Sequence, residues 1–213
     1  LRGCALTASR ASYRSNGLTA VRTYEGQGTV RGVLLVLGLL TSIDAVADAK
    51  AGEKKAQLCL TCHKPENPLA PAPLLEAQPA KYLVQAITEF KTGKRSDTTL
   101  AMKTNVSSLS ARDIRDIADF FASRPPPIGL YATDPAKAAA GEKRVAELKC
   151  GSCHGANFAG AGSVPRLAGQ TPGYLVRQLE AFAEGRRGHP PAATPFDKIG
   201  DFPAIAQYFA ATK

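Results

Sequence analysis

The sequence predicts an all-α fold of two tandem helical domains. Three observations carry this: the chain from Lys50 onward is internally duplicated, helix start signals appear in both copies, and no stretch sustains the period-two alternation of a half-buried strand. Ala51-Gly52-Glu53-Lys54 recurs as Ala140-Gly141-Glu142-Lys143. Pro73-Leu74-Leu75-Glu76-Ala77-Gln78 corresponds to Pro165-Arg166-Leu167-Ala168-Gly169-Gln170. Tyr82-Leu83-Val84-Gln85 matches Tyr174-Leu175-Val176-Arg177, and Phe90-Lys91-Thr92-Gly93 matches Phe182-Ala183-Glu184-Gly185, all at a constant offset of 92 residues. Ile117-Ala118-Asp119-Phe120-Phe121 then mirrors Ile205-Ala206-Gln207-Tyr208-Phe209 at an offset of 88, so the second copy lacks four residues between Gly185 and Ile205.

Residues 1–49 read as a leader. The apolar run Val33–Leu40 follows Arg22 and Arg31, and Ala45-Val46-Ala47 and Ala47-Asp48-Ala49 each fit a small-x-small cleavage site. The run is short against the roughly 20 residues of a spanning helix, which favours a cleaved signal peptide over a retained anchor. Residues 1–29 are polar and are assigned no fold; Cys4 lies among them, with no role expected in the mature protein.

The first domain is expected over 50–124. Ser110-Ala111-Arg112-Asp113 resembles a capping box with Asp in the usual Glu position, and Ile114, Ile117, Ala118 and Phe121 then share one helical face. Arg124-Pro125-Pro126-Pro127 stops this copy and opens a Pro-rich linker, 125–133. In the second domain, 134–213, Asp134-Pro135 and Thr171-Pro172 are N-cap and first-turn pairs that open helices.

The chemistry lies in a pentapeptide present twice, Cys59-Leu60-Thr61-Cys62-His63 and Cys150-Gly151-Ser152-Cys153-His154. Each is C-x-x-C-H, the spacing that attaches a c-type haem. Two thiols one helical turn apart can each form a thioether to a vinyl group on one porphyrin edge, and the adjacent histidine turns its imidazole onto the iron. Zinc ribbons separate their C-x-x-C pairs by roughly 15–20 residues, whereas 87 lie between Cys62 and Cys150. A redox dithiol does not require the following His. Two covalent haem c groups are therefore expected, with Cys59, Cys62, Cys150 and Cys153 binding them and His63 and His154 on iron. With 7% aromatic residues and no Trp, each small domain has a thin core that a packed haem would fill.

The formal charge of +9 includes the leader; from Lys50 onward there are 22 Lys and Arg against 15 Asp and Glu, a net of +7. Four ionised haem propionates would lower this to about +3. Nucleic acid is excluded as a partner on that balance. A mildly basic surface suits acidic redox proteins or anionic lipid headgroups, beside the plain alternative of a solvated face.

The paired motifs, the G-E-K stretches, the P-x-L-x-x-Q loops, the Tyr-Leu helices ending in Phe and Gly, and the closing Ile-Ala-x-aromatic-Phe helices together resemble a dihaem class I cytochrome c, the cytochrome c4 family in particular. The resemblance implies two cytochrome c-like domains and electron transfer in the periplasm, loose membrane association, and partners among oxidases, reductases or dehydrogenases. It also implies that Pro73 and Pro165 lie on the loops whose carbonyls take the proximal imidazole protons. Gly52 and Gly141 would let the first helix of each domain approach the last, against Phe120 and Tyr208.

Such a cytochrome takes a sixth iron ligand, usually Met, whose thioether raises the potential. The chain has one methionine, Met102, in a polar stretch where the family places that ligand. The second domain has none: its loop reads Gly188-His189-Pro190-Pro191-Ala192-Ala193-Thr194-Pro195-Phe196 and contains the deletion. His189 is the third and last histidine of the chain. It is a candidate ligand beside an open or water-bound iron and, more weakly, Lys198. Three functions follow: a dihaem electron carrier, the leading one; the cytochrome subunit of a periplasmic dehydrogenase such as a flavocytochrome oxidising sulfide; and an enzyme at an open second haem acting on thiosulfate or peroxide. Thiosulfate-oxidising dihaem enzymes use a thiolate ligand, for which this chain offers only Cys4.

Overall fold

A computed structural model describes residues 49–64, 72–97, 99–190 and 195–213. The leader, with its apolar core 33–40, its cleavage sites and Cys4, lies outside the described residues. Among the described residues there are nine α-helices and one 3-10 turn, with no strand beyond an isolated bridge between Ala161 and Val164. No helix among them is long and apolar enough to cross a membrane.

The first lobe comprises α1 (Ala49–Lys55), α2 (Gln57–Leu60), α3 (Ala80–Thr92), α4 (Ala101–Val106) and α5 (Ala111–Ala122). The second comprises α6 (Pro135–Glu147), α7 (Gly151–His154), α8 (Pro172–Ala183), the 3-10 turn Phe196–Lys198 and α9 (Phe202–Ala211). Helix starts follow the local chemistry. The Ser110 hydroxyl accepts from the Asp113 amide at 3.1 Å while the Asp113 carboxylate accepts from the Ser110 amide at 2.9 Å, completing the box before α5. Asp134 accepts from the Ala136 and Lys137 amides ahead of Pro135, and Thr171 accepts from the Tyr174 amide ahead of Pro172. Asp201 caps α9 from a left-handed backbone, φ 43°, through the Ala204 amide.

Each lobe is organised by a crossing of its first and last helices, α1 on α5 and α6 on α9. A Cβ on Gly52 would sit 1.9 Å from the Asp116 carbonyl oxygen and 2.8 Å from the Phe120 Cβ. One on Gly141 would sit 2.1 Å from the Ala204 oxygen and 2.9 Å from the Tyr208 Cβ. The shortest contact in each case is to a backbone oxygen and cannot yield by a rotamer change, so only glycine permits this approach. Around the crossings lie two cores, Ala56, Leu83, Ile117, Ala118 and Phe121 in the first lobe, and Val145, Leu148, Leu175, Ile205 and Phe209 in the second.

The crossings differ in polarity. Asp116, buried in α5, forms an ion pair with Lys55 of α1 at 2.5 Å, and Lys55 also reaches Asp113 at 2.7 Å. The corresponding position in α9 is Ala204, and the second crossing is apolar there. The Pro-rich linker packs closely on the second lobe: a Cβ on Gly169 would lie 1.9 Å from the Pro127 oxygen. Ala77, the matching residue of the first lobe, holds φ 54° as alanine while Gly169 holds φ 70°.

Candidate haem sites

Each C-x-x-C-H segment folds as one helical turn. The His63 amide donates to the Cys59 carbonyl at 2.9 Å, and the His154 amide to the Cys150 carbonyl at 3.1 Å. This local geometry brings residues i and i+3 to one side of the turn. All four thiols are free; Cys59 and Cys150 are half-buried, Cys62 and Cys153 exposed. Burial pushes the Cys59 and Cys150 thiols up. Among the described residues no three His, Cys, Asp or Glu side chains converge as an ion site, so the two C-x-x-C pairs do not meet as a Cys4 centre.

The two motif histidines are held alike. His63 Nδ1 lies 2.7 Å from the Pro73 oxygen and His154 Nδ1 lies 2.9 Å from the Pro165 oxygen. Burial drives both imidazoles below the ordinary histidine range, so each is neutral near pH 7. A neutral ring facing a carbonyl through Nδ1 carries its proton there, which leaves the Nε2 lone pair for a metal.

The far sides differ. In the first lobe Met102 is half-buried in the opening turn of α4, which packs on α3. The sequence places Met102 in a polar loop; a helix forms because the Asp97 carboxylate accepts from the Ala101 amide at 3.1 Å and the Met102 amide at 2.9 Å. In the second lobe the 3-10 turn Phe196–Lys198 packs on α8, the counterpart of α3, and no counterpart of α4 is present among the described residues. His189 precedes that turn. Its ring centroid lies 6.3 Å from that of His154 with an interplanar angle of 29°, and 4.9 and 4.7 Å from Phe182 and Phe196. His189 Nδ1 is 2.6 Å from the Pro190 oxygen. Lys198 is exposed on the turn, its carbonyl accepting from Arg144.

Between the lobes lies a polar layer with an approximate two-fold pattern. Gln170 donates to the Leu74 carbonyl at 2.9 Å and accepts from the Leu74 amide at 2.8 Å. Gln78 donates to the Arg166 carbonyl at 2.8 Å and accepts from the Arg166 amide at 2.9 Å. Arg95 donates to the Tyr174 hydroxyl at 2.8 Å, and Arg187 to the Tyr82 hydroxyl at 3.3 Å. Both guanidiniums lie over phenylalanine rings, Arg95 over Phe90 at 4.6 Å and Arg187 over Phe182 at 4.8 Å. Neither has a carboxylate ion pair among the described residues. Two cations meeting at such a boundary suit an anionic group, and the carboxylates of haem have that character.

The structure therefore brings together Cys59, Cys62 and His63 in one turn, Cys150, Cys153 and His154 in another, and His189 with His154. Free thiols on one turn, Nε2 lone pairs and guanidiniums with no carboxylate partner among the described residues together fit a covalent haem in each lobe. Gln78, Gln170, Arg95 and Arg187 escape sequence reasoning as site residues. Their signal is present: polar residues repeated at the same offset of 92 as the core.

The cytochrome c family model matches residues 138–207. The chain is 38% identical over 167 residues to cytochrome c4 of Pseudomonas aeruginosa, covering 73% of this chain and 81% of that one. It is 31% identical over 160 residues to a thiosulfate dehydrogenase electron acceptor of Thiomonas intermedia, covering 69% and 72%. The crystal structure of reduced recombinant cytochrome c4 from Pseudomonas stutzeri superposes with a TM-score of 0.67 at 30% identity, over 78% of this chain and all of that one.

Proposed function

Because the chain belongs to the cytochrome c4 family of haem-bearing electron-transfer proteins, we propose that it is a periplasmic dihaem carrier whose two irons have different axial ligands. Haem c, when bound, holds one electron at its iron and passes it on. Cys59 and Cys62 would hold the first haem, with His63 and Met102 as iron ligands. Cys150 and Cys153 would hold the second, with His154 and His189 as iron ligands. Arg95 and Arg187 would receive the haem carboxylates.

One observation carries the second ligand set: the 6.3 Å between the His154 and His189 ring centres. Two imidazoles on one metal, each with a metal–nitrogen bond of about 2 Å and about 1.1 Å from nitrogen to ring centre, have centroids about 6.2 Å apart. Each ring also has Nδ1 against a carbonyl, the arrangement that leaves Nε2 for metal. The Met102 thioether favours ferrous iron, and replacing it by imidazole removes that preference, so the second haem sits at the lower potential. With both groups bound, that ordering would favour electron passage from the second lobe to the first.

The ferrous–CO difference spectrum tests this ligand set. Wild type binds no CO near neutral pH, while His189→Ala turns the second haem high-spin and CO-reactive. CO binding by wild type, or an unchanged His189→Ala spectrum, supports the open-iron enzyme instead.

The likeness to a protein named thiosulfate dehydrogenase electron acceptor supports a periplasmic dehydrogenase as donor. The mildly basic surface suits acidic partners and loose attachment to anionic membranes. Reduction by a purified thiosulfate dehydrogenase, with salt weakening the rate, checks the donor. Export through residues 1–49 is checked by sequencing the N-terminus of the protein recovered from the periplasm.

A further inference from the structure

The cross-lobe glutamines touch the same peptide groups that hold the proximal histidines. The peptide joining Pro73 to Leu74 offers its carbonyl to His63 Nδ1 at 2.7 Å, and its N–H donates to Gln170 Oε1 at 2.8 Å. The peptide joining Pro165 to Arg166 offers its carbonyl to His154 Nδ1 at 2.9 Å, and its N–H donates to Gln78 Oε1 at 2.9 Å. Each proximal histidine is thus one peptide group away from a glutamine of the opposite lobe. Both glutamine side chains are buried, with residue exposures of 5% for Gln78 and 3% for Gln170.

An amide is a polarisable unit. Acceptance of its N–H by an oxygen shifts electron density toward its own carbonyl and strengthens the bond that carbonyl accepts, an effect least screened in a buried site. A stronger Nδ1–H···O bond makes the imidazole a more basic ligand, which favours ferric iron and lowers the potential. We infer that Gln170 and Gln78 are positioning residues that act across the lobe boundary, Gln170 setting the basicity of His63 and Gln78 that of His154. The inference rests on the haem reading above. It gives the lobe boundary a role beyond adhesion: the presence of each lobe tunes the iron ligand of the other.

Their distinct signature is crossed. In full-length holoprotein, Gln170→Leu raises the potential of the first-lobe haem and leaves the second close to wild type. Gln78→Leu does the reverse. Only the first lobe contains a methionine, so the haems are separable by their spectra during one redox titration. Proton NMR of the reduced protein gives a second readout: Gln170→Leu moves the His63 Nδ1 proton upfield and not that of His154. If the leucine variants fail to assemble, Gln→Asn at each position keeps the amide but is one methylene too short to reach the peptide, and gives the same signs. A shift of the haem in the substituted lobe, an equal shift of both, or no shift overturns the inference and leaves the glutamines as adhesive contacts. A pyridine haemochrome count separates this from failure of the underlying reading: fewer than two haems in wild type refutes the dihaem assignment whatever the potentials do.

Discussion

The two lobes are alike around their C-x-x-C-H turns and differ on the side opposite the motif histidines. Both place C-x-x-C-H on one helical turn, both hold the histidine from a proline carbonyl, and both cross their first and last helices at a glycine. On the far side, the first lobe has α4 with Met102, while the second has a shortened chain, a 3-10 turn and His189. The lesson is that the C-x-x-C-H turn constrains local geometry tightly, while a deletion in one loop can change the side chains opposite it without disturbing the core behind it.

The largest expected change comes from making the lobes chemically alike. Met102→His should replace the thioether by a second imidazole, abolish the sulfur-ligand absorption of the first haem and collapse the gap between the two potentials. An optical redox titration reads this directly; two well-separated potentials retained in the variant would show that Met102 is not the source of the difference.

Next in size are the crossings, where the lobes should respond equally. Gly52→Ala and Gly141→Ala each drive a Cβ into a backbone carbonyl and should destabilise their own lobe by about 3 kcal/mol, measured by urea denaturation. A much smaller loss in one lobe would mean that its helices can slide apart.

The linker then provides an asymmetric test. Gly169→Ala must place a Cβ against the Pro127 oxygen at positive φ, and should lose about 2 kcal/mol. Ala77→Gly, at the matching position with φ 54°, should gain about 0.5 kcal/mol by relieving the same backbone. Thermal unfolding followed by circular dichroism distinguishes them.

The smallest losses are at the caps of the closing helices. Ser110→Ala removes the capping hydroxyl of α5 and should cost about 1 kcal/mol. Asp201→Gly removes the cap of α9 but suits its left-handed backbone, so the loss should be about 0.3 kcal/mol or less. Equal losses would show that the αL strain at Asp201 is negligible.

Much of the fold was legible because its signals are local. Ser110, Asp134 and Thr171 cap the helices their side-chain chemistry requires, and Gly52 and Gly141 stand at corresponding places before their motifs. Met102 was readable as a residue but not as the start of a helix, because α4 depends on the Asp97 carboxylate reaching forward to amides four and five residues on. The polar residues Gln78 and Gln170 repeat as faithfully as Leu83 and Leu175. A repeat cannot say whether a polar side chain bonds within its own copy or across to the other.

The sequence by itself determined the attachment turns and the unequal supply of methionine, since covalent spacing and helical periodicity act over a few residues. Tertiary structure alone brought His189 against His154 and joined each proline loop to the glutamine of the other lobe, across sequence separations of 88 and 96 residues. Those contacts depend on how loops close and how two cores dock, which side-chain packing over the whole chain decides.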